Sequence, residues 1–105
     1  ARRHGTSGPG LEMRAPTGTP VYTIHPGRVS FADSFEPYGR VVILDHGDHY
    51  YTLLGNLGSI DVRVGDELGL GARVGTVGSD GKGGVLYVEI RRNTDTLDPR
   101  PWFGL

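Results

Sequence analysis

Apolar residues along this chain fall in short runs that alternate with polar ones, and no window of roughly 11–18 residues repeats with a helical period. The clearest alternation is Gly84-Val85-Leu86-Tyr87-Val88-Glu89-Ile90-Arg91. In a strand, Leu86, Val88 and Ile90 point to one side, and Val85, Tyr87, Glu89 and Arg91 to the other. The first set is aliphatic and reads as core. The second combines an aromatic, a carboxylate and a guanidinium, and reads as the lining of a surface or cleft. An ordinary solvated strand face is the plainer alternative.

The same reading predicts further strands over residues 11–13, 21–24, 28–33, 39–45, 50–54, 60–64, 68–71 and 73–77. The run 39–45 is the most hydrophobic and is expected to be a central strand. A turn at His46-Gly47-Asp48-His49 returns it through 50–54 as a hairpin. In the turns at 15–20 and at His25-Pro26-Gly27, Pro fixes φ and Gly supplies a positive φ. Residues 34–38 form an exposed loop carrying Phe35 and Tyr38, residues 55–58 separate two strands, and 78–84 is a flexible glycine-rich loop. The tail 98–103 is expected to be extended and to pin Trp102 onto the body. Residues 1–9 read as a flexible N-terminal segment and residues 10–105 as the domain. Short strands joined by glycine corners predict an all-β fold, a compact sheet sandwich or barrel.

Composition narrows this picture. At 105 residues the chain makes one domain, large enough for a core without disulfide or metal staples. The 18 Gly and 7 Pro, set among alternating apolar residues, signal tight turns rather than disorder. A net charge of −1 gives no support to a polyanion ligand, so nucleic acid is not an expected partner. With no cysteine there is neither a thiolate zinc site nor a cysteine nucleophile, and the compartment stays open. No signal peptide or membrane span is evident. A start at Ala1 reads as an excised domain, with any targeting segment upstream.

Candidate chemistry is sparse. Of the 4 histidines, His46 and His49 share a turn with Asp45 and Asp48, which could pass for a ligand cluster, although exposed hairpin turns use the same residues. His25 precedes a proline in a turn, and His4 lies in the N-terminal segment. The loop Gly78-Ser79-Asp80-Gly81-Lys82-Gly83-Gly84 is like a phosphate loop only in its glycines, since no helix follows. Glu12 and Glu89 are a conceivable carboxylate pair for glycoside hydrolysis, with a separation that sequence does not give.

A longer series of motifs is more specific. Gly10-Leu11-Glu12-Met13-Arg14-Ala15-Pro16-Thr17-Gly18-Thr19-Pro20-Val21 is followed by Gly27-Arg28-Val29, Tyr38-Gly39 and Val42-Ile43-Leu44-Asp45-His46-Gly47. Gly65-Asp66, Val74-Gly75-Thr76-Val77-Gly78 and Leu86-Tyr87-Val88-Glu89-Ile90-Arg91 complete it. In that order and spacing, from Gly10 to Trp102, the chain resembles the LytM-type (lysostaphin-like) peptidase domain. The resemblance implies an antiparallel β-sheet domain with a long groove across one face. Active members of that family are zinc endopeptidases that cut peptidoglycan cross-bridges.

By the same resemblance, the metal-ligand and catalytic positions fall at Gly8, Glu12, Asn56, Val85 and Tyr87. The i, i+2 spacing of Val85 and Tyr87 would aim two imidazoles at one metal; here it presents an isopropyl group and a phenol. One carboxylate, Glu12, does not hold zinc, and the Asn56 carboxamide has no useful pKa for a general base. The chain is most similar to the degenerate EnvC-type branch, in Leu86 to Arg92 and in Pro99-Arg100-Pro101-Trp102. That branch activates cell-wall amidases through the former active-site groove, which implies a periplasmic domain at the division site, no cofactor, and an amidase partner. The docking role carries over to Tyr38, Leu54, Tyr87 and Arg91, with Glu12 on the groove floor; Glu89 is expected to pair with a nearby Arg or backbone donor. Pro9 and Leu54 depart from the pattern, at positions of a basic residue and an aromatic. Competing readings are a groove that binds peptidoglycan directly, a residual hydrolase built on His46 and His49, and a lipoyl-type carrier. The last is disfavoured because no hairpin-tip Asp-Lys is present.

Overall fold

The structure is a computed structural model that describes residues 10–92, 95–97 and 99–103. The expected flexible segment 1–9, with His4, Gly8 and Pro9, lies outside these residues, as does the side chain of Trp102. Arg100–Phe103 forms a short 3-10 helix where the sequence predicts an extended tail.

Strands β1 (Leu11–Arg14), β2 (Pro20–Tyr22), β3 (Gly27–Ser34), β4 (Arg40–Gly47), β5 (Tyr50–Ile60), β6 (Glu67–Leu68), β7 (Arg73–Ser79), β8 (Gly84–Arg92) and β9 (Asp95–Leu97) follow in order. They form a single sheet in the order β1-β8-β7-β5-β4-β3-β6, with β2 on β7 and β9 on β8. Each pairing is antiparallel. The fold is the all-β antiparallel architecture that the alternation predicts, curled into a half-barrel.

β5 is the pivot of the curl. Its first half pairs with β8, from Tyr50↔Arg92 to Gly55↔Tyr87, and its second half pairs with β7, from Leu57↔Val77 to Ile60↔Gly75. The changeover falls at Asn56, which has a φ of 56°. A strand break is predicted over 55–58; instead the strand kinks and continues. Two local bonds replace the ladder there: Asn56 N donates to Tyr38 O at 2.7 Å, and Asn56 Nδ2 donates to Val85 O at 2.9 Å. Asn is among the few non-glycine residues that enter the left-handed region at modest strain.

Other boundaries move for similar reasons. The strand predicted over 60–64 stops at Ile60, because the Asp66 carboxylate accepts from Arg63 N at 2.9 Å and Gly65 turns at a φ of 96°. β7 runs on to Ser79, so only 80–83 remain of the glycine-rich loop, closed by Asp80 N donating to Gly83 O at 3.0 Å. The β4–β5 hairpin is as expected. Its two turn residues, Asp48 and His49, have φ of 54° and 65°, the handedness that matches the twist of the flanking strands.

Hydrophobic clusters lie on both faces of the curled sheet. The larger gathers Val21, Val29, Val42, Leu44, Leu54, Leu57, Val74, Val77, Leu86 and Val88. The smaller gathers Val41, Leu53 and Tyr87, with Phe31, Tyr38 and Ile43 packed against it. Alternation divides each central strand between the two: Val41 from Val42 on β4, Leu53 from Leu54 on β5, and Tyr87 from Val88 on β8. This corrects the reading of β8. The face carrying Val85, Tyr87 and Glu89 is not a cleft wall open along its length; all three are buried, and only Arg91 at its end is partly exposed.

Candidate functional site

The kink at Asn56 and the neighbouring ends of β1 and β8 enclose a small polar pocket of about 190 Å³, lined by Glu12, Pro37, Tyr38, Asn56, Asp80, Val85 and Tyr87. Four positions that the resemblance assigns to the metal site, Glu12, Asn56, Val85 and Tyr87, therefore converge in space. Register explains it: Glu12 sits opposite Tyr87, and Tyr87 opposite Gly55, which precedes Asn56. Gly8 lies outside the described residues.

Tyr38 separates this pocket from a larger apolar one of about 550 Å³, lined by Ser30, Phe35, Tyr38, Ile43, Tyr51, Leu53 and Arg91. Tyr38 stacks on Tyr87 with ring centroids 5.3 Å apart, and on Phe35 at 6.2 Å; Phe35 meets Phe31 edge-on at 5.9 Å. The two pockets and this row of rings make one groove with a polar end at Glu12 and Asp80 and an aromatic end at Arg91. Phe35, 53% exposed, is the large apolar side chain it offers most openly.

The residues predicted for docking divide accordingly. Tyr38 and Arg91 line the aromatic end, and Glu12 is exposed at the polar end. Tyr87 lines the polar pocket but is only 5% exposed, because its ring lies between Tyr38 and the Gly10 backbone. It supports the groove from beneath more than it offers contact area. Leu54 is a correction: it is 4% exposed and packs in the larger core, on the face away from Tyr87. Its side chain faces a separate pocket of about 210 Å³ on that side, shared with Leu44, Val77 and Leu86, and not the groove. Phe35 and Tyr51 line the groove without appearing among the predicted docking residues; the signal for Phe35 was its spacing of three from Tyr38 in one loop.

Glu89 is wholly buried, and it pairs as the sequence suggests. The Tyr87 hydroxyl donates to Glu89 Oε2, while Arg91 Nε and Nη2 reach Glu89 Oε1 at 2.9 and 2.7 Å. At the polar end Arg14 Nη2 bonds Asp80 Oδ2 at 2.7 Å. This bond, reinforced by the Lys82 backbone N–H, pulls the Asp80 carboxyl down to about 2.

The donor set at the positions that the resemblance assigns to the metal does not fit zinc, which takes imidazole, thiolate and carboxylate ligands. Val85 has no donor atom, Tyr87 gives its hydroxyl proton to Glu89, Asn56 Nδ2 is spent on Val85 O, and Asp80 is tied to Arg14. No group of three His, Cys, Asp or Glu converges as a metal site among the described residues. His46 is committed elsewhere. Its Nδ1 donates to Pro26 O at 2.8 Å, which leaves Nε2 to accept from the Thr52 hydroxyl at 2.6 Å. His49 sits at the left-handed hairpin tip.

Residues 6–99 match the pattern of Peptidase family M23. The chain belongs to that family. Within it, this M23 domain is 40% identical to the murein hydrolase activator EnvC of Escherichia coli over 97 residues, covering 90% of the chain and 23% of EnvC. It is 34% identical to the peptidoglycan DD-endopeptidase ShyA of Vibrio cholerae over 83 residues, covering 77% of the chain and 19% of ShyA. Among solved structures, the catalytic domain of EnpA from Enterococcus faecalis (an A109H mutant) superposes with a TM-score of 0.79 at 30% identity, covering 93% of this chain and 82% of that one. The M23 family thus includes proteins named as activators and proteins named as peptidases, and the chain spans less than a quarter of EnvC and of ShyA.

Proposed function

We propose that this chain is a non-catalytic M23 domain that binds and activates a cell-wall N-acetylmuramoyl-L-alanine amidase in the bacterial periplasm, at the division site. One observation carries the reading. The positions that would hold zinc are filled by Glu12, Asn56, Val85 and Tyr87, three of them spent on internal contacts, while the adjoining groove keeps an aromatic row and a partly exposed arginine. Aromatic and Arg side chains dominate binding hot spots. The 40% identity to a murein hydrolase activator supports the same assignment. The groove would capture a segment that occludes the amidase active site, and so favour the open enzyme by population shift. No cofactor enters this scheme.

Dye release from labelled peptidoglycan tests it, with the domain alone plus zinc, and then with an amidase of the same cell. Release only in the mixture, lost in Arg91→Ala, is the expected result. Release by the domain alone would overturn the non-catalytic assignment. A second reading, direct binding of peptidoglycan, draws on the exposed Phe35 and its stack with Tyr38, which suit sugar rings. Co-sedimentation with purified sacculi in the absence of amidase distinguishes it.

A further inference from the structure

Beneath the aromatic end of the groove lies an ionic arrangement that the docking scheme leaves unexplained. Glu89 is 0% exposed on β8, opposite Leu53 in the smaller core. A carboxylate in such a place is costly unless each oxygen is paired. Both are: Oε2 by the Tyr87 hydroxyl, and Oε1 by Arg91 Nε at 2.9 Å and Nη2 at 2.7 Å. The three residues stand at i, i+2 and i+4 on one strand face, so one rigid strand sets their spacing.

The Arg91 side chain is 42% exposed and lines the aromatic end of the groove. Of the five N–H donors of a guanidinium, the two that face Glu89 are used. An unrestrained arginine at a strand end would sample many rotamers and lose them on binding. Here the fork is already fixed, and the ring beneath Tyr38 is anchored through its hydroxyl to the same carboxylate.

We infer that Glu89 is a positioning residue. Its buried carboxylate presents Arg91, and the Tyr87–Tyr38 stack, as one preformed surface for an oxygen acceptor on the partner. The inference rests on the docking role proposed above. It adds that affinity depends on a residue the partner never touches.

The test measures affinity of the chain for the amidase that it activates in the dye-release assay, using wild type, Glu89→Gln, Arg91→Ala and the double variant. Glu89→Gln keeps the size but removes the charge and turns one of the two acceptor oxygens into an NH2 donor. The expected result is an affinity loss of about tenfold, the scale of ordering one long side chain. Little or no further loss is expected when Glu89→Gln is added to Arg91→Ala. In the free chain, the Arg91 Nε–Hε NMR signal should be resolved and slowly exchanging in wild type, and averaged away in Glu89→Gln. Unchanged affinity in a folded Glu89→Gln, equal losses in both backgrounds, or an unaltered Hε signal would each overturn the inference. Wild-type affinity in Arg91→Ala would instead overturn the docking assignment itself. Should Glu89→Gln not fold, Arg91→Lys carries the test, since it keeps the charge and loses the fork. A loss close to that of Arg91→Ala is expected, and wild-type affinity would refute the role.

Discussion

Asn56 offers a quantitative check on the framework role of a position that the resemblance assigns to catalysis. Two features hold it: a φ of 56°, and the 2.9 Å bond from its Nδ2 to Val85 O. Replacing it with alanine forces a Cβ-bearing residue without a local polar side chain into the left-handed region, at about 1–2 kcal/mol. It also removes one hydrogen bond from a part-buried carbonyl, at about 1 kcal/mol. Asn56→Ala should therefore destabilise by about 2–3 kcal/mol. Glycine at the same position meets no φ strain but loses the bond and loosens the unfolded chain, for about 1.5–2 kcal/mol. The ordering is thus Asn above Gly above Ala, with Gly and Ala separated by about 1 kcal/mol, or about 4–8 °C in melting temperature for a domain of this size. Urea unfolding followed by far-UV circular dichroism measures both gaps. Equal stability of the glycine and alanine variants would refute the strain argument, and loss below about 0.5 kcal/mol in both would refute the structural role altogether.

Three other perturbations separate framework from surface. Leu54→Ala, in the larger core, should cost about 2–5 kcal/mol in urea unfolding while leaving the affinity of the folded fraction for amidase unchanged. Phe35→Ser should do the reverse, shifting the melting temperature by only a few degrees yet weakening amidase binding more than tenfold by titration calorimetry. Asp80 has a carboxyl depressed to about 2 from an ordinary 3.8, so its pair with Arg14 contributes fully above about pH 4 and is lost as pH falls toward 2. Because the pair is exposed, the effect is small. The difference in urea midpoint between wild type and Asp80→Asn should be flat from pH 5 to 7 and vanish between about pH 4 and 2.

How far sequence alone reaches can be read at particular residues. Alternation found β8, and the run of apolar residues found β4, where Val41 and Val42 face opposite clusters as Tyr87 and Val88 do on β8. It misjudged what covers the second face. A period of two says which residues share a side, and the packing of Tyr38 and Gly10 over Tyr87 comes from loop and chain segments remote in sequence. Leu54 went astray because the resemblance carried over a position, whereas the side it takes on β5 follows from the register with β8. The continuation of β5 through Gly55 and Asn56 was hidden because a side-chain bond to Val85, 29 residues on, supports it. The pairing of Glu89 was legible, being local to one strand, whereas the meeting of Glu12, Asn56, Val85 and Tyr87 in one pocket depends on strand register that spacing alone does not give.

Under the amidase-activator reading, the groove has to hold its shape without a metal. A zinc ion cross-links the strands that supply its ligands, so its loss would leave the ends of β1, β5 and β8 tied only by the sheet. In this chain other contacts hold the same junction: Asn56 bonds across to Val85, and Tyr87 fills the space against Gly10 and Tyr38 and bonds to Glu89. Each contact uses a position where a ligand would stand, and each is internal to the protein. Under the amidase-activator reading, this rigidity is what binding at the neighbouring aromatic end requires, because a surface fixed before docking loses little entropy when the partner arrives. Before any metal was bound, histidine at Tyr87 would remove the bond to Glu89 and the ring packed against Gly10 and Tyr38. Histidine at Val85 would put a polar ring at a buried site, while the Asn56 bond to the Val85 backbone carbonyl would stay. Val85→His/Tyr87→His should therefore be less stable than wild type in metal-free buffer, and zinc should not restore the lost stability while Asn56 and the Glu89–Arg91 pair remain.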